Sequence, residues 1–150
     1  MELILWRHAE AEEGSDDLPR ALTRRGQQQA ARMARWLRER LPRSARVMCS
    51  EATRAIQTAS ALTKSYEVVP VLNPGASLPE ILRLVNWLAD DEVVVLVGHQ
   101  PWLGELASTL MTGEAHYWVV KKGGVWWLQR RQRGGATQVR LQAMVTPGML

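Results

Sequence analysis

Hydrophobic and polar positions along the chain follow two patterns. Short, unbroken apolar runs predict buried strands, and the clearest are residues 3–6 and 93–97. In longer segments apolar residues recur every three or four positions, which predicts amphipathic helices, above all over residues 24–41. Because the two patterns alternate through residue 111, they predict an α/β fold with a mostly parallel sheet.

The same patterns predict a full set of elements. The predicted strands cover residues 3–6, 46–49, 66–72, 93–97, 117–120, 125–129 and 138–145, and the predicted helices residues 24–41, 51–64, 78–90 and 101–111. Thr23 and Ser50 are expected to cap helices, Ser77 and Glu80 have the spacing of a capping box, and Pro42 is expected to stop the first helix. We therefore expect one three-layer α/β/α sandwich over residues 1–150.

Composition narrows the class of protein. The 150 residues include one cysteine, Cys49, so no internal disulfide and no thiol cluster for a structural zinc are expected, and we expect a reducing, cytoplasmic location. The apolar run 3–6 is far shorter than the roughly 18 residues of a membrane span, so no membrane partner is expected. The basic stretch 130–133 is interpreted as a charged hairpin turn, and no nucleic-acid partner is expected.

Candidate chemistry gathers at the ends of predicted strands. His8 and His99 each follow a buried strand directly, and the carboxyl ends of parallel strands are where sites form in α/β proteins. Arg7, Arg20 and Arg54 lie on loops or first helical turns that we expect at the same edge. A helix N-terminus is electropositive, so a cation such as Arg54 is disfavoured there unless an anion also binds. A bound phosphate would resolve this conflict.

These residues together resemble a known family. Three ordered motifs resemble the histidine phosphatase superfamily: Arg7-His8-Ala9 after the first strand, Ser50-x-x-x-Arg54-Ala55-x-Gln57-Thr58, and Gly98-His99 after a hydrophobic strand. The segment Arg20-x-Leu22-Thr23-x-x-Gly26 is similar in particular to the SixA-type phosphohistidine phosphatases. The resemblance implies a phosphoglycerate-mutase-like fold and a phosphatase that needs no metal or other cofactor.

The resemblance also assigns roles. It implies that His8 is the nucleophile and forms a transient phosphohistidine, which divides one difficult displacement into two easier ones. Arg7, Arg20 and Arg54 would hold the phosphoryl oxygens, and His99 would donate a hydrogen bond to one of them. The nearby arginines are expected to lower the pKa of His8, so that its ring is neutral and has a lone pair.

Two positions depart from the family pattern. Ala9 replaces the usual glycine, which fits only if the backbone there avoids a positive φ. No carboxylate has a clear claim to protonate a leaving group. Glu80 is a candidate, but its capping-box position already explains it, and the acids at positions 10, 12 and 16 are expected to lie on a solvated loop.

The missing acid favours a substrate with a phosphorus–nitrogen bond. An ester must expel an alkoxide, whereas phosphohistidine leaves as neutral imidazole once its other ring nitrogen is protonated. With no long insertion to act as a lid, the site is expected to be open, which suits a phosphohistidine-bearing protein. A small phosphomonoester or phosphoramidate is the alternative substrate, and a non-catalytic phosphate-binding module is the alternative function.

Three further residue types are interpreted as structural. Most of the seven tryptophans are expected in the core, although Trp102, just after His99, is a candidate to border the pocket. Cys49 is expected to be buried and His116 to be exposed.

Overall fold

The sheet and its helices carry all the candidate residues. The computed structural model describes residues 1–150. The strands are β1 (Glu2–Arg7), β2 (Arg46–Cys49), β3 (Tyr66–Val68), β4 (Val93–Gly98), β5 (Val125–Arg133) and β6 (Ala136–Val145). The helices are α1 (Arg24–Arg38), α2 (Thr53–Leu62), α3 (Leu78–Asn86) and α4 (Trp102–Thr112), with short 3-10 helices at Pro70–Leu72 and Pro147–Met149.

The six strands form one sheet in the order β3-β2-β4-β1-β5-β6. Strands β1 to β4 run parallel to one another, and β5 and β6 form an antiparallel extension beside β1. This confirms the predicted α/β fold with a mostly parallel sheet. The central pair is β4 and β1, whose apolar runs are residues 93–97 and 3–6.

Helices cover both faces of the sheet. In β1, Ile4 and Trp6 pack with residues of α1 and α2, whereas Leu3 and Leu5 pack with residues of α3 and α4. All four side chains are at most 1% exposed. Successive side chains of a strand point to opposite faces, so a strand covered on both faces needs apolar residues at every position. The three-layer sandwich is thus built from the continuous apolar runs.

The predicted strand over residues 117–120 is wrong. The segment pairs with none of the six strands of the sheet. It lies against the start of α4, where Gln100 Nε2 donates to the Trp118 carbonyl oxygen at 2.7 Å, so this carbonyl group is bonded to a side chain and not to a strand. Its approach to the helix is so close that a Cβ on Gly104 would stand 1.8 Å from that oxygen.

Some helix ends also differ from the predictions. Thr23 caps α1 as predicted, since its hydroxyl accepts a hydrogen bond from the Gly26 amide at 2.9 Å. Helix α1 ends at Arg38 and not at residue 41, because Pro42 disfavours helical geometry in the residue before it. Ser77 makes no side-chain capping bond, so the predicted capping box is wrong.

The other predicted boundaries shift by a few residues, and the basic stretch 130–133, interpreted as a hairpin turn, is instead the end of β5, with the turn at Gly134 and Gly135. Helix α3 ends at Asn86, short of residue 90, and α2 begins at Thr53 with Ala52 as its N-cap, so Ser50 is not the cap. The strand predicted over residues 66–72 ends at Val68, because Pro70 starts a 3-10 helix.

Three of the seven tryptophans, Trp6, Trp102 and Trp127, are buried, and Trp36, Trp118 and Trp126 are half-buried against the core. Trp102 is 1% exposed and its indole donates to the Leu72 carbonyl oxygen, so it is a core residue and does not border the pocket. Cys49 is fully buried, and burial raises the pKa of its thiol to about 11. His116 is exposed as predicted, whereas Trp87, at 87% exposed, lies outside the core. None of the helices combines the length and apolar character that crossing a bilayer requires.

Candidate active site

The strand order brings the two candidate histidines together. Arg7 and Gly98 are register partners in the parallel pair β1–β4, so the next residues, His8 and His99, leave the sheet side by side. Their ring centroids are 5.1 Å apart. Strand β2 flanks β4 on its other side and delivers Ser50 to the same edge, where its amide donates to the Val97 carbonyl oxygen.

The His8 ring has a defined orientation. Its Nδ1 lies 2.7 Å from the Ala9 carbonyl oxygen, an acceptor, so Nδ1 carries the hydrogen. Nε2 therefore has a lone pair, and it accepts a hydrogen bond from Arg54 Nε at 3.3 Å. Burial lowers the pKa of His8 to about 4, the bond to Ala9 opposes this shift, and the positive charges of Arg54, Arg7 and Arg20 lower it further. His8 is thus a neutral nitrogen nucleophile at neutral pH, and burial contributes more to this than the arginines do.

Ala9 is held by the second helix. Its φ is not positive, so alanine is compatible with a position where the family has glycine. The Ala9 amide, fully buried, donates to Thr58 Oγ1 at 3.1 Å, and that hydroxyl donates to the Arg54 carbonyl oxygen at 2.8 Å. Thr58 therefore fixes the carbonyl group that sets the tautomer of His8.

His99 is oriented by Ser50. The Ser50 hydroxyl oxygen accepts from the Ala52 amide at 3.2 Å and lies 2.7 Å from His99 Nε2. Arg54 Nη2, which can only donate, lies 3.5 Å from His99 Nδ1, so we assign the ring hydrogen to Nε2, which donates to the Ser50 hydroxyl oxygen. Burial lowers the pKa of His99 to about 3, and electrostatic repulsion from His8 and from the charge of Arg54 lowers it further. His99 is therefore a neutral ring whose Nδ1 lone pair faces Arg54.

Two arginines line the buried part of the site. Arg54, the second residue of α2, is 3% exposed, and its Nη2 lies 3.5 Å from His99 Nδ1. Arg7 Nη1 donates to the Val120 carbonyl oxygen at 3.0 Å, while its buried Nε has no hydrogen-bond partner. Burial and the charge of Arg54 lower the pKa of Arg7. An anion bound beside His8 would face a concentration of positive charge.

Arg20 reaches the site from the loop before α1. Its Nη1 donates to the Glu12 carbonyl oxygen at 3.2 Å. The loop is tied to α2, because Gln57 Oε1 accepts from the Leu22 amide at 2.7 Å. The five side chains named from the sequence thus converge on one end of the sheet.

Sequence reasoning missed Asp17, which joins two of these arginines. Its Oδ1 accepts from Arg20 Nε at 3.2 Å and Nη2 at 3.0 Å, and its Oδ2 accepts from Arg54 Nη2 at 3.1 Å. The only sequence signal is the three-residue spacing to Arg20 in a loop of five acidic residues, which does not single out position 17.

None of the acids considered from the sequence lies in this cluster. Glu80 is exposed and makes no hydrogen bond or ion pair, so it neither completes a capping box nor bonds to any of the site residues. Glu12 and Asp16 are exposed as expected, but Glu10 is half-buried and accepts from the Thr23 hydroxyl at 2.7 Å. No group of three or more His, Cys, Asp or Glu side chains is placed to hold a metal ion.

Two sequence comparisons relate this chain to known proteins. A model of the histidine phosphatase superfamily (branch 1) matches residues 3–77. An uncharacterized protein of Picosynechococcus sp. is 34% identical over an alignment of 151 positions, which covers 93% of this chain and 89% of that protein.

Solved structures share the whole fold. The protein histidine phosphatase SixA, complexed with tungstate, superposes with a TM-score of 0.84 at 23% identity over 99% of both chains. A phosphoserine phosphatase mutant of Entamoeba histolytica, in complex with phosphoserine, has a TM-score of 0.72 at 18% identity and covers 99% of this chain and 98% of its own. The fold is therefore shared by enzymes that act on different phosphorylated substrates.

Proposed function

Because the chain belongs to the histidine phosphatase superfamily, we propose that it is a metal-independent phosphohistidine phosphatase with His8 as its nucleophile. The observation that carries this proposal is the arrangement around His8. Its Nδ1–H is bonded to the Ala9 carbonyl oxygen, and its Nε2 lone pair faces the guanidinium group of Arg54.

The first step is attack by His8 Nε2 on phosphorus. The Nε2 lone pair forms the new P–N bond, the bond to the leaving group breaks, and its electron pair goes to the leaving atom. The phosphorylated His8 ring gains positive charge, which the Ala9 carbonyl oxygen stabilises through Nδ1–H. Water then attacks phosphorus and releases phosphate, and the neutral His8 ring returns.

The phosphoryl oxygens need donors as charge develops on them. Arg54, Arg7 and Arg20 would supply guanidinium N–H groups, and the unpartnered Nε of Arg7 would gain an acceptor. His99 would donate from Nδ1 once its ring takes the other tautomer, with the Ser50 hydroxyl turning its hydrogen toward Nε2. Donors positioned before the reaction stabilise the transition state without reorganisation at that moment.

The leaving group determines the substrate class. An alkoxide needs a proton as it leaves, and no neutral carboxylic acid contacts the site: Glu80 is exposed and unbonded, and Asp17 is ion-paired. An imidazole already protonated at its distal nitrogen needs no such acid. Transfer from phosphohistidine to His8 breaks and forms the same type of bond. We therefore favour a phosphohistidine-bearing protein as substrate. The single cysteine of the chain, Cys49, supports a reducing cytoplasmic location for the enzyme.

A small phosphorylated molecule is the second candidate substrate. It is favoured by the structural neighbours, which include, besides the phosphoserine phosphatase, a mycobacterial glucosyl-3-phosphoglycerate phosphatase (TM-score 0.70, 20% identity, 95% of this chain and 97% of that one).

Phosphate release from matched substrates tests the proposal. Wild type, His8→Ala and the control His116→Ala are compared on a phosphohistidine peptide, an aryl phosphate and phosphoserine, with a chelator present. We expect release from the phosphohistidine peptide that His8→Ala abolishes and His116→Ala preserves, because His116 is exposed and outside the site. Preference for an ester would favour the small-molecule phosphatase. No turnover, with phosphate still bound, would favour a non-catalytic module.

A further inference from the structure

Asp17 occupies the donors that a phosphoryl group would use. Its carboxylate bridges Arg20 and Arg54, with the two salt bridges at 3.0 and 3.1 Å, and its carbonyl oxygen accepts from Arg54 Nη1 at 2.9 Å. The next residue, Leu18, accepts from the Thr53 amide at the start of α2. In the resting protein an internal carboxylate thus stands where two arginines and a helix N-terminus favour an anion.

The position of Asp17 relative to His8 defines the depth of the site. The guanidinium group of Arg54 lies between them, with Nε toward His8 and Nη2 toward Asp17. His8 is 6% exposed and Arg54 3%, whereas the side chain of Asp17 is 52% exposed. A phosphoryl group held by Arg54 beside His8 has its leaving group on the solvent side, and Asp17 is the carboxylate bonded to the arginines there.

Asp17 is a base and not an acid at neutral pH. Partial burial raises the pKa of its carboxyl group, but the hydrogen bonds and charges of Arg54, followed by those of Arg20, outweigh this and leave the pKa below its usual value. The ionised carboxylate can accept a hydrogen bond but has no proton to donate.

We propose that Asp17 determines the substrate specificity of the enzyme, and this role rests on the proposed function. The incoming phosphoryl group takes over the N–H groups of Arg20 and Arg54. The displaced carboxylate of Asp17 then accepts a hydrogen bond from the distal ring N–H of the leaving imidazole. The substrates selected are those whose leaving group bears a hydrogen-bond donor and develops no negative charge.

The step balances without proton transfer to Asp17. The P–N bond of the substrate breaks, and its electron pair returns to the leaving ring nitrogen. The distal nitrogen keeps its hydrogen, so the product is neutral imidazole. An ionised carboxylate beside that N–H favours the protonated ring, which is the form that leaves readily. An ester oxygen develops negative charge as it leaves, and Asp17 repels it.

Asp17→Asn tests the proposal, because asparagine has the same shape without the charge. Its neighbour Asp16, which is exposed and makes no hydrogen bond or ion pair, supplies the matched control Asp16→Asn. The kcat/KM values for a phosphohistidine peptide and an aryl phosphate are measured, with the inhibition constant of inorganic phosphate and the melting temperature. Asp17→Asn is expected to lower kcat/KM for the peptide about tenfold or more, the effect of one charge-assisted hydrogen bond.

The other readouts are expected to change in the opposite direction. Without the competing carboxylate, inorganic phosphate binds several-fold more tightly and the aryl phosphate is hydrolysed faster, whereas Asp16→Asn changes neither. A merely structural role would change both substrates alike, so parallel changes, or none, overturn the role of Asp17. A wild-type enzyme active on the aryl phosphate and inactive on the peptide overturns the proposed function itself, and the selective role with it.

Discussion

Replacing Thr58 by valine separates the hydrogen bonds of this side chain from its shape. Valine fills the same volume but leaves the Ala9 amide, which is fully buried, without the acceptor now 3.1 Å away. An unpaired buried N–H costs about 1–3 kcal/mol. At about 2–4 °C per kcal/mol for a chain of this size, we expect Tm to fall by roughly 2–12 °C.

The catalytic effect of Thr58→Val follows from the same contact. When the Ala9 amide loses its anchor, the Ala9 carbonyl group can shift, and it is the group that orients the His8 ring through Nδ1. Misplacing a reacting group by about 1 Å costs up to about 100-fold, so we expect kcat to fall about 10- to 100-fold. The assay is phosphate release at saturating substrate, below the Tm of each variant.

Thr58→Ser is the matched control. It keeps the hydroxyl and loses one methyl group, which costs about 1 kcal/mol of stability. We expect near wild-type kcat from it. If Thr58→Val and Thr58→Ser were equally active, the hydroxyl would not position His8, and our account of the tautomer would be refuted.

Three other predictions concern stability and the second histidine. The pKa of His8 and His99 is about 6.5 in the unfolded chain and about 4 and about 3, respectively, in the folded chain. As the pH falls from 6.5 to 4, these histidines therefore bind protons only in the unfolded state. The free energy of unfolding should decline by about 1.4 kcal/mol per pH unit for each histidine, which is measured as a falling Tm. Gly26→Ala should lower Tm, because the new Cβ would stand 1.9 Å from the Glu10 carbonyl oxygen and such overpacking costs about 1–3 kcal/mol. This cost outweighs the gain of about 1 kcal/mol that alanine gives over glycine in a helix, and an unchanged Tm would contradict the close approach. Ser50→Ala should lower kcat about tenfold, and it should also lower Tm because the buried Ala52 amide loses its acceptor. It should alter the His99 ring tautomer seen by ¹⁵N NMR, and an unchanged ring spectrum would count against our assignment.

Patterns that depend on backbone geometry were predictable from the sequence. The apolar runs of β1 and β4 specify strands covered on both faces, and parallel pairing then puts the residues after them at one edge. That argument places His8 and His99 at the same edge of the sheet, whereas their direct proximity follows from the observed pairing of β1 with β4. It also explains why Arg54, at the start of α2, comes to the same edge.

Features that depend on packing were not predictable. Residues 117–120 have strand-like composition, but in the folded chain they lie against α4 and not beside a strand, and local sequence does not determine this. The lowered pKa of His8 was expected from nearby arginines, whereas burial contributes most, and burial is set by tertiary structure. The Asp17 contacts require the loop to fold over α2, and nothing in the local sequence distinguishes Asp17 from its acidic neighbours.

The position of β4 between β1 and β2 has a consequence for biosynthesis. During translation β1 and β2 emerge before β4, yet they do not pair with each other and must wait for the strand that separates them. The contacts between β1 and β4 join residues about ninety positions apart, and such long-range pairing is slow to form. A nascent chain that ends before residue 93 contains β1 and β2, the two neighbours of β4 in the sheet, but not β4 itself. Activity should therefore arise late and abruptly as the polypeptide leaves the ribosome, with exposed strand edges available to chaperones until then.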